Sequence, residues 1–207
     1  MRRLIVLGGI AGPLLLTLMV IAVAALRLGY SHYTQFISEL GETGADLAWL
    51  VNYFGFMIPA LLILVFSYAL LIHFPRSPLS IAGSILVMLY AVSVFMASIF
   101  SCDVGCTPAT PTLAQNLHNA AAIFAFPSLI LAPFIWGVYF IRVDKWRRFA
   151  YYSMATAAVS LLSLIAMVVS IDTRTGTGLT QRILLGSFFL WLALLATRLW
   201  RETADIE

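Results

Sequence analysis

Asp103 and His118 flank a connection stiffened by Pro108 and Pro111, in a chain with only three histidines. A carboxylate and an imidazole at one depth can act as general acid and base, or as two ligands of a divalent metal. The same letters also fit an interfacial histidine hydrogen-bonded to a nearby carboxylate, with no chemistry. Cys102 and Cys106 bracket Asp103 in Cys-Asp-Val-Gly-Cys. With no further ligands and no thioredoxin-like context, two such cysteines in an oxidising compartment most simply form a disulfide.

A second group lies near the last apolar stretch, in Asp172-Thr-Arg-Thr-Gly-Thr-Gly-Leu-Thr-Gln181-Arg182. Glycines before a helix start, with free N–H groups and an arginine one turn in, suit an anion such as a lipid phosphate. A glycine-rich turn with Thr177 or Thr180 as N-cap gives the same pattern without a ligand. Arg182 falls inside an apolar segment, where a charge is costly unless paired. Glu39, Asp103 or Asp172 is its expected partner. Ser38 and Glu39 belong to a segment in which Tyr33, Phe36, Ile37 and Leu40 recur at i, i+3, i+4 and i+7. That is one stripe of a short amphipathic helix at the membrane surface. His32, Gln35 and Glu39 form a second stripe, and Asn52 is placed to join the same polar group.

The elements that must position these residues are membrane spans. Of 207 residues 62% are hydrophobic and 10% charged, against roughly a quarter charged in soluble domains. A spanning helix needs about 20 apolar residues. Leu4–Leu26, Leu47–Ile72, Leu79–Phe100, Leu117–Ile141, Phe149–Ile171 and Leu179–Leu199 qualify. The runs are continuous, without the alternation of barrel strands, so the expected fold is an all-α polytopic bundle of six helices, one domain over residues 1–207. Leu4–Leu26 is longer than a signal-peptide core of roughly 7–15 residues and is expected to remain as a span. Pro59, Pro127 and Pro133 are expected to kink their helices, and Gly8 with Gly12 makes a small-xxx-small packing pair.

Several functions are excluded. The net charge of +3 is too scattered for nucleic acid, and no Walker or Rossmann motif occurs. No apolar span holds a lysine for a retinal Schiff base, and only His118 lies on a span, too few for bis-histidine haem.

The chain resembles the membrane family of domain of unknown function 998. The resemblance covers nearly its whole length, through Ile37-Ser-Glu-Leu-Gly41, Asn52 with Gly55, Phe100 with Asp103 and Gly105, His118, and Gly178-Leu-Thr-Gln-Arg182. It implies that Ser38, Glu39, Asp103, His118, Gln181 and Arg182 form one outward-facing constellation. More distantly, the Ser, Asp and His content is similar to the seven-span metal hydrolases that include alkaline ceramidases. Those hold zinc with several histidines, whereas here only His32 and His118 reach the outer side.

The expected function is an outward-facing polar pocket that binds a lipid headgroup or small amphiphile. Ser38, Glu39, Asn52, Gln181 and Arg182 would bind, and Asp103 with His118 would activate water if hydrolysis occurs there, with or without a divalent metal. Membrane lipids are the expected partners. The rival readings are a structural or accessory subunit held among other membrane proteins, and a small transporter. Transport calls for polar residues at the bilayer midplane, where this sequence offers little beyond Ser and Thr.

Topology follows from charge. Arg2, Arg3, Arg76, Arg142, Lys145, Arg147, Arg148, Arg198 and Arg201 fall on one side, against Arg27, Arg174 and Arg182 on the other. The asymmetry places both termini in the cytoplasm and the protein in the plasma (inner) membrane. A cysteine introduced at Lys145 should resist an impermeant thiol reagent in intact cells, and one at Thr110 should react. Labelling at Lys145 would reverse the orientation.

Overall fold

The structure, a computed structural model, describes residues 2–204, with no side-chain account of Arg2, Arg3 or Ala204. Among the described residues six helices are long and apolar enough to cross a membrane: α1 (Leu4–Leu26), α2 (Ala48–His73), α3 (Pro78–Ile99), α4 (Leu113–Phe140), α5 (Asp144–Val169) and α6 (Thr177–Thr203). Each packs on its sequence neighbours, and α1 also packs on α6, closing a ring. Leu16, Ile63, Phe66, Val87, Leu129, Trp136, Phe188 and Leu195 fill its centre and are buried. Outward-facing Leu14, Leu18, Leu61, Leu162 and Leu194 remain exposed, as a lipid-facing surface requires.

Lipid tails are as apolar as leucine, so the helices are held by close packing more than by hydrophobic burial. The α1–α2 contact shows how. A methyl group on Gly8 would collide with the backbone carbonyl of Leu62, and one on Gly12 would lie 2.9 Å from Pro59 O. The small pair in α1 therefore lets two backbones touch. After a short α-helical start at Ala48–Leu50, α2 widens to a π-helical stretch, Val51–Met57, before regular α-helix at Ile58–His73. Pro59, with no N–H to give, stands where the wide turns end.

The last four helices begin earlier than the apolar runs suggest. α4 starts at Leu113 because Thr112 caps it, its Oγ1 accepting from Gln115 N at 3.2 Å. Polar first turns carry no hydropathy signal. The amphipathic stretch before α2 also differs from expectation. Regular structure there is a single 3-10 turn, Ile37–Gly41, with Ile37, Glu39, Leu40 and Gly41 buried. Tyr30–Phe36 is a loop drawn over the end of the bundle rather than a helix lying on its surface.

Gly8→Ala should lower the stability of the detergent-solubilised protein by about 1–3 kcal/mol, the usual cost of overpacking. Gly186 faces open space, so Gly186→Ala should be neutral or raise stability by about 0.5–1 kcal/mol through helix propensity. Equal thermal shifts for the two variants would show that the α1–α2 approach is not tight.

Candidate functional site

Three connections meet at one end of the bundle: residues 27–47, residues 100–112 and residues 170–176. Arg174 ties them together. Its guanidinium donates to Glu39 Oε1 at 2.6 Å, to Thr107 Oγ1 at 2.7 Å and to Gly105 O. It also lies 4.6 Å from the centre of the Phe36 ring. Arg174 holds a left-handed φ of 57°, uncommon for a residue with a Cβ, and this turns it back over the cap.

Glu39 is buried, with only 4% of its surface exposed, yet its carboxylate is fully engaged. Besides Arg174, it accepts from Phe36 N at 3.0 Å and Gln35 Nε2 at 2.8 Å. A second pair runs alongside, Arg27 to Glu42 at 2.5 Å, and Glu42 also accepts from Gly105 N at 2.7 Å. Thr43 N donates to Cys102 O at 2.8 Å, stitching the same two connections through backbone.

Arg182 does not take a carboxylate. Its Nε donates to His32 Nδ1 at 3.0 Å, its Nη1 to the carbonyls of His32 and Gln35 at 3.0 Å and Gly178 at 2.8 Å, and its Nη2 to Tyr30 Oη at 2.5 Å. A guanidinium is a fork of donors, and the loop carbonyls meet that fork directly. Glu39 is committed to Arg174, Asp103 to Thr112, and Asp172 is exposed. Burial, reinforced by the positive charge of Arg182, holds His32 below the usual imidazole range. Burial also raises the Tyr30 phenol, against the pull of Arg182.

The start of α6 is occupied by protein. Leu179 N donates to Tyr33 O at 3.2 Å, and a methyl group on Gly178 would lie 2.8 Å from His32 O. Neither Thr177 nor Thr180 caps the helix. Thr177 Oγ1 donates to Ser170 O at 2.7 Å, and Thr180 Oγ1 to Thr177 O at 3.0 Å. The anion site expected at this helix start is thus filled by the 30–36 loop.

Asp103 and His118 are turned to different partners. Both Asp103 oxygens hold Thr112, at 2.7 Å from its hydroxyl and 2.9 Å from its N–H. His118 Nδ1 lies 2.9 Å from Phe100 O. No group of three or more His, Cys, Asp or Glu placed to hold a metal occurs among the described residues. Cys102 and Cys106 sit at disulfide distance, with Cα atoms 5.0 Å apart, and Ser38 Oγ lies 3.4 Å from Cys106 Sγ. Asn52 Nδ2 donates to Gly41 O at 2.9 Å and Ser101 Oγ at 2.8 Å.

Gln115 is fully buried. Its Oε1 accepts from Asp103 N at 2.8 Å, and its Nε2 donates to Cys106 O at 3.1 Å and Asn119 Oδ1 at 2.7 Å. Sequence reading missed it, although Thr112-Leu-Ala-Gln115 has capping-box spacing. Arg174 and Arg27 enter the sequence reading only as charges, and no short-range pattern marks their pairing with Glu39 and Glu42.

Beneath this cap lies a cavity of about 410 Å³, within the usual range for small-molecule sites. Its mouth is framed by Thr107, Pro108, Pro111 and Asn119, and its depth by Leu16, Phe56, Tyr90 and Leu185. Ser38, His118 and Gln181 lie on its wall, whereas Glu39, Asp103, Asn52 and Arg182 do not. From Phe100 to Tyr90 the helix rise amounts to about 15 Å, so the cavity reaches well into the apolar part of the bundle. The Tyr90 hydroxyl is enclosed and has no partner among the described residues.

The family whose profile matches is described as a protein of unknown function (DUF998), and the match spans residues 10–198. No curated protein and no solved structure matches the chain.

The Arg174–Glu39 pair generates a coupling test. Arg174→Met leaves Glu39 buried without its counter-charge and should destabilise by about 3 kcal/mol. Glu39→Gln should cost less, since Arg174 is partly exposed. The double variant should fall short of the sum by about 1 kcal/mol or more in thermal or denaturant unfolding. Strict additivity would mean that the pair is not coupled.

Proposed function

We propose, for a chain that belongs to the DUF998 family of membrane proteins, that it binds a small amphiphile in the cavity beneath its cap. One observation carries this reading. The cavity joins a polar mouth, at Gln115, His118 and Asn119, to an apolar interior at Leu16, Phe56, Val94 and Leu185. A molecule with a polar head and one hydrocarbon tail has that shape and that division of chemistry. Burying the tail is favourable by about 0.8 kcal/mol per CH₂ against water, though much less against a bilayer, so recognition must come from the head.

Binding without hydrolysis is the better-supported form. A general base needs its orienting partner on one nitrogen and substrate on the other. Here Phe100 O fills the orienting position of His118, but both Asp103 oxygens are held by Thr112, which leaves no carboxylate beside the imidazole to stabilise its protonated form. The charged cluster supports a separate, architectural role. Each guanidinium of Arg27, Arg174 and Arg182 bonds to acceptors within the protein, as a lock requires. Under this reading the cap faces outward from the plasma (inner) membrane with both termini cytoplasmic, supported by the clustering of Lys and Arg on the opposite side.

Filling the cavity tests the proposal. Ala97, on the cavity wall, replaced by Phe should eliminate most co-purifying single-chain lipid in native mass spectrometry. Stability should stay within about 1 kcal/mol of the parent, because the ring enters existing space. An unchanged lipid complement in a well-folded Ala97→Phe protein would overturn the reading.

A further inference from the structure

The walls of this cavity carry no Asp, Glu, Lys or Arg. That is unexpected at an end of the bundle where Arg27, Glu39, Glu42, Arg174 and Arg182 all converge. Each of those charges is turned into the cap, where Arg27 holds Glu42, Arg174 holds Glu39, and Arg182 is wrapped in loop carbonyls. The cavity is left with amides, hydroxyls and one imidazole, that of His118, whose Nδ1 faces Phe100 O.

Those groups present donors. Gln181 is 6% exposed, and its Oε1 is fixed by Ile37 N at 2.7 Å. Its Nε2 is therefore the free end of the amide, with two hydrogens and no partner among the described residues, on a side chain that lines the cavity. Asn119 repeats the arrangement at the mouth, since its Oδ1 accepts from Gln115 Nε2 and its own amide nitrogen remains. Ser93, 3% exposed, lines the wall one helical turn from Tyr90, and its hydroxyl has no partner among the described residues. Buried donors of this kind seek an acceptor. A carboxylate or phosphate would supply acceptor oxygens, but would enter a low-dielectric space with no Lys or Arg on its wall and with His118 already turned to the Phe100 carbonyl. A cation would meet no anion.

We infer that the occupant is an uncharged lipid with ester or ether oxygens in its head, of the monoacylglycerol class, and that Gln181 Nε2 donates to one of those oxygens. The inference rests on the amphiphile reading above and adds the charge and hydrogen-bonding character of the head. The matched probes are 1-oleoylglycerol and 1-oleoyl lysophosphatidate, which differ by one phosphate. Their affinities are measured on the delipidated full-length protein by native mass spectrometry and intrinsic tryptophan fluorescence.

The neutral lipid should bind about tenfold or more tightly than the phosphorylated one. Gln181→Glu can keep the oxygen that accepts from Ile37 N while removing both donors. It should weaken 1-oleoylglycerol by about three- to tenfold, the span of one hydrogen bond. Ser93→Ala provides a second loss of a donor in a background that leaves the cap bonds intact. Equal or tighter binding of the lysophosphatidate overturns the inference and leaves the amphiphile reading standing. Unchanged 1-oleoylglycerol affinity in both Gln181→Glu and Ser93→Ala overturns the assignment of the donors. If neither lipid binds the parent protein, and Ala97→Phe behaves as the parent does, both readings fall together.

Discussion

Between Tyr30 and Glu42 the chain lays mostly non-helical backbone across the end of an apolar bundle, and that backbone must be satisfied by protein. An unpartnered buried amide or carbonyl costs roughly 1–3 kcal/mol, so a segment of this length cannot pack there without a dense set of donors and acceptors. Part of that set lies within the segment, and α6 supplies four more partners. Arg182 takes the carbonyls of His32 and Gln35, Gln181 takes the N–H of Ile37, and Leu179 N takes Tyr33 O. Gly178 allows the approach, since a side chain there would collide with Gln35 O. The run from Gly178 to Arg182 is thus a receptor for the chain's own loop.

That requirement decides what the charges do. Glu39 comes down with the loop and needs a cation, which Arg174 supplies by turning back in a left-handed conformation. Arg174 then reaches Gly105 and Thr107 in the next connection, and Glu42 reaches Gly105 from the other side. The cysteine loop is held in this way, and through Gln115 and Asp103 it fixes where α4 begins. A single need, to satisfy the 30–42 backbone, runs through three connections.

Six spans were legible in the sequence because hydropathy over about 20 residues depends on nothing but composition. The cap was legible only as a list of participants. Glu39, Asn52, Gln181 and Arg182 do lie in one network at one end of the bundle, but their partners were not readable. Arg182 was expected to need a carboxylate, and carbonyls suffice because the loop path brings them within reach of its fork. That path depends on where a helix gives way to a 3-10 turn, which the i, i+3, i+4, i+7 stripe does not reveal. Asp103 and His118 looked like a pair because they bracket one connection. Thr112 lies closer to the carboxylate in sequence and claims both of its oxygens.

Charge neutralisation and ligand space then become complementary. In a low-dielectric interior, ions must be matched one to one, and a matched ion has little left for a ligand. Neutral amides and hydroxyls differ, since an amide fixed by one atom still offers the other. Gln181 does both at once, holding Ile37 N with its oxygen while its nitrogen remains on the cavity wall. The cap can therefore be completed internally and still leave recognition chemistry beneath it, provided that chemistry is uncharged. A charged binding group at the same position would have to leave the network to engage a ligand, and would loosen the loop that forms the roof of the cavity.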